Sequence, residues 1–135
     1  MSKIRIALTK GRLQKDTLAM LEKAGFDCSA FENCGRKLLI PLLGTDIEIV
    51  LAKAPDVITY VEHGVCDIGV VGKDTIMESG KSFYEVLDLG FGKCRFVLAG
   101  KADTEFFGSY ERRRVATKYP NVARNYFLSK QMMLF

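Results

Sequence analysis

The chain has 135 residues, of which 48% are hydrophobic and 27% charged, and its formal net charge is +4. This composition predicts a globular protein with one ordinary domain or two small lobes, and it argues against a disordered chain. We see neither an apolar run of about 20 residues nor a secretory leader, so we expect a cytoplasmic protein that does not enter a membrane. The mild positive charge suits an anionic small molecule as well as a nucleic acid.

The four cysteines and the single histidine restrict the possible chemistry. Cys28, Cys34, Cys66 and Cys94 form no C-x-x-C pair, so the spacing predicts free, buried thiols and no zinc or redox motif. His63 alone cannot build a multi-histidine metal centre, and no serine or cysteine motif surrounds it as a nucleophile would require. The sequence therefore indicates no metal ligand and no catalytic dyad.

The first two thirds of the chain alternate strand-like with helix-like segments. Strands are predicted over residues 4–8, 37–43, 46–52 and 67–71, and Pro41 favours an edge position for the second of these. The last of them is apolar without alternation, as expected of a strand that is covered on both faces. Helices are predicted over residues 13–24, from Pro55 to Gly64, and after Asp74, whose carboxylate can cap a short helix through Glu78.

The same alternation continues to the end of the chain. Strands are predicted over residues 84–89, 93–99 and 113–117, and Pro120 opens a final helix. The overall class is therefore α/β. The sequence GFGK at 90–93 is the natural crossing between two lobes, which places lobe I at residues 1–90 and an incomplete lobe II at 91–135. The last residues, QMMLF, end the sequence on apolar side chains, so we expect a fold that is cut short.

Two glycine turns carry the clearest functional signal. Lys10-Gly11-Arg12 follows a strand and opens a helix, and amides at a helix N-terminus attract anions. A solvated basic turn is an equal alternative. Gly72-Lys73-Asp74 repeats the arrangement, but it is not a Walker A loop because Asp67 and Asp74 occupy positions that need glycine and a hydroxyl residue.

Two further groups of cations have less specific patterns. Lys93 and Arg95 alternate along a predicted strand, so both point to one face, where they could hold a polyphosphate or simply meet solvent. The run Arg112 to Arg114 is typical of a solvated segment, and no aromatic residue is interleaved with it as single-strand nucleic-acid binding would require. We therefore expect no nucleic-acid partner. Glu62 and His63 are interpreted first as the exposed end of a helix.

Five blocks of sequence together resemble ATP phosphoribosyltransferase. The resemblance runs in order through IRIALTKGRL at 4–13, RKLLI at 36–40, DVITYVEHGVCDIGVVGKD at 56–74, LDLGFGKCRFVLAG at 87–100 and RVATKYPNVARNYF at 114–127. It is closest to the short form of that family. It implies a fold like type II periplasmic binding proteins, with two α/β lobes and a cleft between them.

The resemblance also implies a reaction, the first step of histidine biosynthesis. N1 of the ATP adenine attacks C1 of the ribose in phosphoribosyl pyrophosphate, and Mg²⁺ accompanies the departing pyrophosphate. ATP is itself the nucleophile, so no residue acts as acid, base or nucleophile. The short form is further implied to assemble as a homo-oligomer with a regulatory subunit that resembles histidyl-tRNA synthetase.

By the same resemblance, several residues are assigned to substrate binding. The candidates for phosphate contacts are Lys10, Arg12, Arg36, Lys73 and Arg95, Glu62 is assigned to a ribose or adenine edge, and Gly11, Lys53, Gly72, Asp74 and Lys93 complete the set. One departure from the family is serious: nothing matches the Thr-Gly-x-Thr-Leu type loop that cradles the 5-phosphate of phosphoribosyl pyrophosphate. The chain is therefore expected to be inactive alone. The alternative is a non-catalytic anion-binding module of solute-receptor type.

Overall fold

The chain divides into two compact units, residues 1–92 and 93–135. The structure is a computed structural model that describes residues 2–107 and 113–132. The first unit, called unit 1, contains β1 (Ile4–Thr9), α1 (Arg12–Lys23), a short 3-10 helix (Ser29–Phe31), β2 (Leu39–Pro41), β3 (Ile47–Ala52), α2 (Ala54–Glu62), β4 (Ile68–Val70) and α3 (Lys73–Ser79). The second, unit 2, contains α4 (Pro120–Ser129). The mixed α/β class predicted from the sequence is confirmed.

The strands of unit 1 form one four-stranded sheet in the order β2-β3-β1-β4. β1 pairs in parallel with β3 on one side, where Ile6 lies beside Ile49, and with β4 on the other, where Ile6 lies beside Ile68. β2 pairs with β3 in the antiparallel sense, so it is the one reversed strand. Because β1, β3 and β4 run in the same direction, their carboxyl ends lie together at one end of the strands. We call this end of the sheet the carboxyl edge.

The alternation of side chains along β1 and β3 gives the sheet two buried faces. Leu8, Ile49 and Ile40 are at most 2% exposed and face one side, where Leu18 and Leu21 of α1 pack against them. Ala7 and Ala52 face the other side with Val57 of α2. Fully burying one such aliphatic side chain stabilises the fold by about 1.5–3 kcal/mol. These two clusters explain why unit 1 forms around its own sheet.

A glycine in β4 lets α2 approach the sheet closely. A Cβ atom built on Gly69 would lie 2.9 Å from Cγ2 of Val61 and 3.0 Å from Cγ1 of Val57. Real Cβ atoms do not approach carbon so closely, so a larger residue would push α2 outward. The spacing of glycines around β4 therefore has a packing cause as well as a possible functional one.

Three predictions about unit 1 need correction. The strand predicted over 67–71 is not covered on both faces. It lies at the edge of the sheet, and Ile68 near its start is 47% exposed. Asp74 does not cap α3: the N-cap is Gly72, and Asp74 lies in the first turn, where its charge still suits the helix dipole. The free thiols are confirmed, but only Cys28 and Cys66 are buried.

The three strands predicted over 84–89, 93–99 and 113–117 were wrong. The described part of the chain has no regular secondary structure in these segments. Several apolar side chains of the first two segments are exposed instead: Tyr84 is 99%, Val86 89% and Val97 71% exposed. A strand needs a neighbour to receive its backbone hydrogen bonds, and these segments find no such neighbour among the described residues. An apolar pattern shows which residues could be buried, but it does not determine whether a neighbouring strand is present to pair with them.

Unit 2 is built around the aromatic residues of α4. Phe127 is 1% exposed, and its ring lies 5.7 Å from that of Phe106 and 5.2 Å from that of Tyr126. Arg113 donates a hydrogen bond to the carbonyl of Glu105 at 3.0 Å and lies over the Phe106 ring. Arg112, Met133, Leu134 and Phe135, which carried predictions above, lie outside the described residues. Within the described ranges, no helix has the length and apolarity to cross a bilayer.

Candidate functional site: the carboxyl edge of unit 1

Each parallel strand of unit 1 ends at the carboxyl edge and is followed there by a helix. β1 leads through Lys10 and Gly11 into α1, β3 leads through Lys53 into α2, and β4 leads through Val71 and Gly72 into α3. In open α/β sheets, ligands bind at this edge, at the point where consecutive helices leave on opposite faces. α1 packs on one face and α2 on the other, so that point lies between the ends of β1 and β3.

The turn after β1 brings two cations to the start of a 12-residue helix. Gly11 is the N-cap of α1 and has φ 98°, a conformation that glycine adopts at little cost. The first turn of α1 contains no acidic residue, and Arg12 opens it, although cations are unfavourable at the positive end of a helix dipole. A bound anion would reverse this penalty. The local sequence therefore favours binding of an anion at the start of α1, at some cost to the stability of the helix without one.

Lys53 stands directly beside this turn. The amide of Lys10 donates a hydrogen bond of 3.0 Å to the carbonyl of Ala52, which ties the end of β1 to the end of β3. Lys53 is the N-cap residue of α2 and is exposed, as are Lys10 and Arg12. In the described part of the chain, none of these three side chains lies within 4.0 Å of a carboxylate. Three exposed cations thus belong to the two adjacent turns at the switch point, where α1 and α2 begin.

Arg36 reaches the same edge from β2. Because β2 is antiparallel to β3, its first residue lies beside the end of β3, and the carbonyl of Leu38 accepts a 2.7 Å hydrogen bond from the Leu51 amide. Arg36 is exposed in the turn that precedes this point. The structure therefore adds Arg36 to the carboxyl edge. Spacing alone could not place it there, because the direction of β2 depends on its pairing.

The turn after β4 is arranged differently. Lys73 is held in an ion pair with Glu85, a residue of the segment without regular structure. A Cβ atom on Gly72 would overlap the Asp74 carboxylate, so the chain needs glycine where Asp74 folds back. A phosphate at Lys73 would therefore compete with Glu85 for the ammonium group. Sequence reasoning missed Glu85, and no local pattern could have indicated it.

Glu62 lies near the amino-terminal ends of the parallel strands, opposite the carboxyl edge. It is the last residue of α2, a helix that runs back from the carboxyl edge to the start of β4. Lys81 pairs with it, and this hydrogen bond lowers the pKa of Glu62 below its ordinary value. His63 follows as the C-cap, with Nδ1 2.9 Å from the Thr59 carbonyl oxygen. The structure does not bring Glu62 together with Lys10, Arg12 and Lys53.

Lys93 and Arg95 open unit 2 and are both exposed. The predicted strand over 93–99 is absent, so the reason for expecting Lys93 and Arg95 on one face no longer holds. No group of three or more His, Cys, Asp or Glu residues that could hold a metal ion occurs within the described ranges. Cations outnumber acids at the carboxyl edge, where Asp56 lies in the first turn of α2 and Asp74 in the first turn of α3. The exposed lysine and arginine side chains of this edge suit it to holding anions.

Comparison with known proteins identifies the family. A family-wide sequence profile of ATP phosphoribosyltransferase matches residues 53–134. A Clostridium kluyveri protein named ATP phosphoribosyltransferase is 62% identical over 125 residues, which are 93% of this chain and 57% of that protein. A Clostridium acetobutylicum protein of the same name is 54% identical over 127 residues, 94% of this chain and 59% of that protein.

A solved structure agrees with these sequences. The ATP phosphoribosyl transferase (HisG:HisZ) complex from Thermotoga maritima has a chain that superimposes with a TM-score of 0.65 at 28% identity, covering 98% of this chain and 61% of that one. The chain thus spans about three fifths of the length of the relatives it matches. The sequence, its cationic carboxyl edge and the matching fold lead to one conclusion: the chain belongs to the ATP phosphoribosyltransferase family.

Proposed function

We propose that this chain supplies the nucleotide-binding part of an ATP phosphoribosyltransferase, the enzyme that transfers the phosphoribosyl group of phosphoribosyl pyrophosphate to N1 of ATP. The observation that carries the proposal is that Lys10, Arg12 and Lys53 occupy the adjacent turns after β1 and β3, at the switch point of the sheet, in a chain that belongs to this family. This edge would bind the polyphosphate of a substrate. The two lobes of a type II periplasmic-binding-protein-like fold, at residues 1–90 and 91–135, belong to the same proposal, as does a cytoplasmic location.

The residues present fit a reaction in which the substrates supply the chemistry. The adenine nitrogen is the nucleophile and pyrophosphate is the leaving group, so the protein must hold two polyanions in line and stabilise the charge that leaves. Lys10, Arg12 and Lys53 would perform the first task with charge-assisted hydrogen bonds. Mg²⁺ would enter with the phosphoribosyl pyrophosphate substrate and would offset part of the negative charge of its diphosphate.

The remaining assigned residues have secondary roles in this proposal. Arg36 would extend the cationic edge toward β2, and Lys73 would join after it releases Glu85. For Lys93 and Arg95 we propose phosphate contacts as well, independent of those at the carboxyl edge. For Glu62 the proposed contact stays a ribose or adenine edge and not these phosphates, because Glu62 lies at the opposite end of the parallel strands.

The Thermotoga maritima structure is a HisG:HisZ complex. We therefore propose that this chain also works in a hetero-oligomer with a regulatory subunit that resembles histidyl-tRNA synthetase, and that it forms homo-oligomers. Turnover would further require the loop that cradles the 5-phosphate, which we assign to the part of the relatives that this chain does not span.

Calorimetric titration of ATP into variants of the chain tests the binding step. Replacing Lys10, Arg12 or Lys53 by alanine removes one charge-assisted contact and should raise the dissociation constant about 10- to 100-fold, equivalent to about 1.5–3 kcal/mol. Lys23→Ala is the matched control, because Lys23 is an exposed cation at the other end of α1, about 17 Å away along the helix. Equal affinity in the three variants and the control would contradict the proposal.

A further inference from the structure

One acidic residue from outside the sheet reaches the carboxyl edge. Glu85 belongs to the segment between α3 and unit 2, which has no regular secondary structure, and its carboxylate pairs with the Lys73 ammonium group. Lys73 is the first residue of α3, directly after the turn that follows β4. Glu85 therefore occupies a cation that the carboxyl edge would otherwise offer to a phosphate.

The other end of the same segment lies beside the start of α1. Asp88 accepts a 2.8 Å hydrogen bond from the amide of Gly90, which closes a turn, and Gly90 and Gly92 both have positive φ. A Cβ atom built on Gly92 would lie 3.0 Å from Cδ2 of Leu13, in the first turn of α1. Residues 85–92, which we call the edge segment, therefore contact the start of α3 at one end and the start of α1 at the other. Two separate contacts thus hold Glu85 at the carboxyl edge.

The turns that follow β1 and β4 are neighbours. The hydroxyl of Thr9 donates a 2.9 Å hydrogen bond to the carbonyl of Val70, which ties the last residues of the two strands together. Adjacent strands lie about 4.8 Å apart, a separation that successive phosphates of one polyphosphate chain can bridge. A single phosphate held at Lys10 and Arg12 would not extend to the next turn. The length of the anion therefore decides whether it meets Lys73.

We propose that Glu85 is a specificity-determining residue of the polyphosphate site, a role that rests on the proposed function. Its carboxylate holds the Lys73 ammonium group until the phosphate chain of a bound substrate displaces it. A short anion at the turn after β1 leaves the pair intact, whereas a longer chain competes with Glu85 for Lys73. The exchange is feasible because the Lys73 and Glu85 side chains are 61% and 52% exposed, and an exposed ion pair is weak.

Calorimetric titration of tripolyphosphate and of orthophosphate into Glu85→Gln tests this role. Removing the competing charge should lower the dissociation constant of tripolyphosphate about two- to fivefold, as expected for an exposed ion pair, and leave that of orthophosphate unchanged. Glu22→Gln is the matched control, because Glu22 is an exposed glutamate near the end of α1 that lies away from the carboxyl edge. It removes the same charge and should change neither affinity. A gain in affinity is a result that damage to the fold would not produce.

Lys73→Ala distinguishes release of this pair from a general effect of charge. In a Lys73→Ala background, Glu85→Gln should no longer improve tripolyphosphate binding, because no ammonium group is left to release. Three results would overturn the inference: a tripolyphosphate affinity of Glu85→Gln no higher than that of Glu22→Gln, an equal gain for orthophosphate, or a gain that persists without Lys73. If the parent chain binds tripolyphosphate, any of these results overturns this inference alone. A parent chain that binds neither anion would overturn the proposed function together with it.

Discussion

Units 1 and 2 have similar sequence patterns but very different amounts of regular structure. In unit 1 every strand has a partner within the unit, and Leu8 of β1 and Ile49 of β3 are fully buried on one face of the sheet. In unit 2 the apolar segment around Val97 has a comparable pattern but stays exposed, and α4 is the one regular element among its described residues. The comparison shows that an apolar pattern becomes a strand only when the chain also supplies the neighbour.

The largest effect is expected from the buried core of unit 1. Leu8→Ala removes methyl groups from a side chain that is 0% exposed, so the free energy of unfolding should fall by about 2–5 kcal/mol. Leu87→Ala, at a leucine that is 72% exposed, should change it by less than about 0.5 kcal/mol. Urea denaturation of both variants measures the difference. Similar losses would mean that the segment around Leu87 is packed.

A smaller effect is expected from adding one methyl group to a glycine. Gly69→Ala should cost about 1–3 kcal/mol of unfolding free energy, because the new Cβ would press on Val57 and Val61. Gly100→Ala in unit 2 is the control: no described atom lies within 4 Å of its Cβ position, so the substitution should be neutral or slightly stabilising. If both variants unfold at the same urea concentration, the close packing of α2 on β4 is wrong.

These examples show what could be predicted from the sequence. The paired strands and all four helices follow from local periodicity, proline and glycine, and the cationic turn at Lys10 to Arg12 follows from its place between a strand and a helix. The ion pairs of Lys73 and Glu62 could not be predicted, because their partners come from turns and irregular segments. The predicted strands after residue 83 failed for the related reason that strand pairing is non-local.

The smallest effect concerns the pH dependence of stability in unit 1. Lys3 donates a 2.6 Å hydrogen bond to Glu48, which lowers the pKa of this carboxyl below its ordinary value, and Arg5 lies 3.5 Å from its other oxygen. A lowered folded-state pKa stabilises the fold above the unfolded-state pKa, and this stabilisation is lost as the pH falls through the folded-state value. Glu48→Gln should therefore be less stable than the parent near neutral pH.

Thermal melts across a range of acidic to neutral pH check this expectation. The difference between Glu48→Gln and the parent should shrink as the pH falls below the ordinary range of a glutamate. Glu32→Gln, at an exposed glutamate, should follow the parent throughout. A difference that is independent of pH would show that Glu48 acts through packing rather than through its charge.

One measurement tests most directly the claim that unit 1 holds the polyphosphate site at its carboxyl edge. Inorganic pyrophosphate is titrated into the isotopically labelled chain while backbone amide resonances are followed. The account predicts saturable shifts at residues 9–12 and 53–54, where β1 and β3 end and α1 and α2 begin. Shifts confined to unit 2, with none at Gly11 or Lys53, would contradict it.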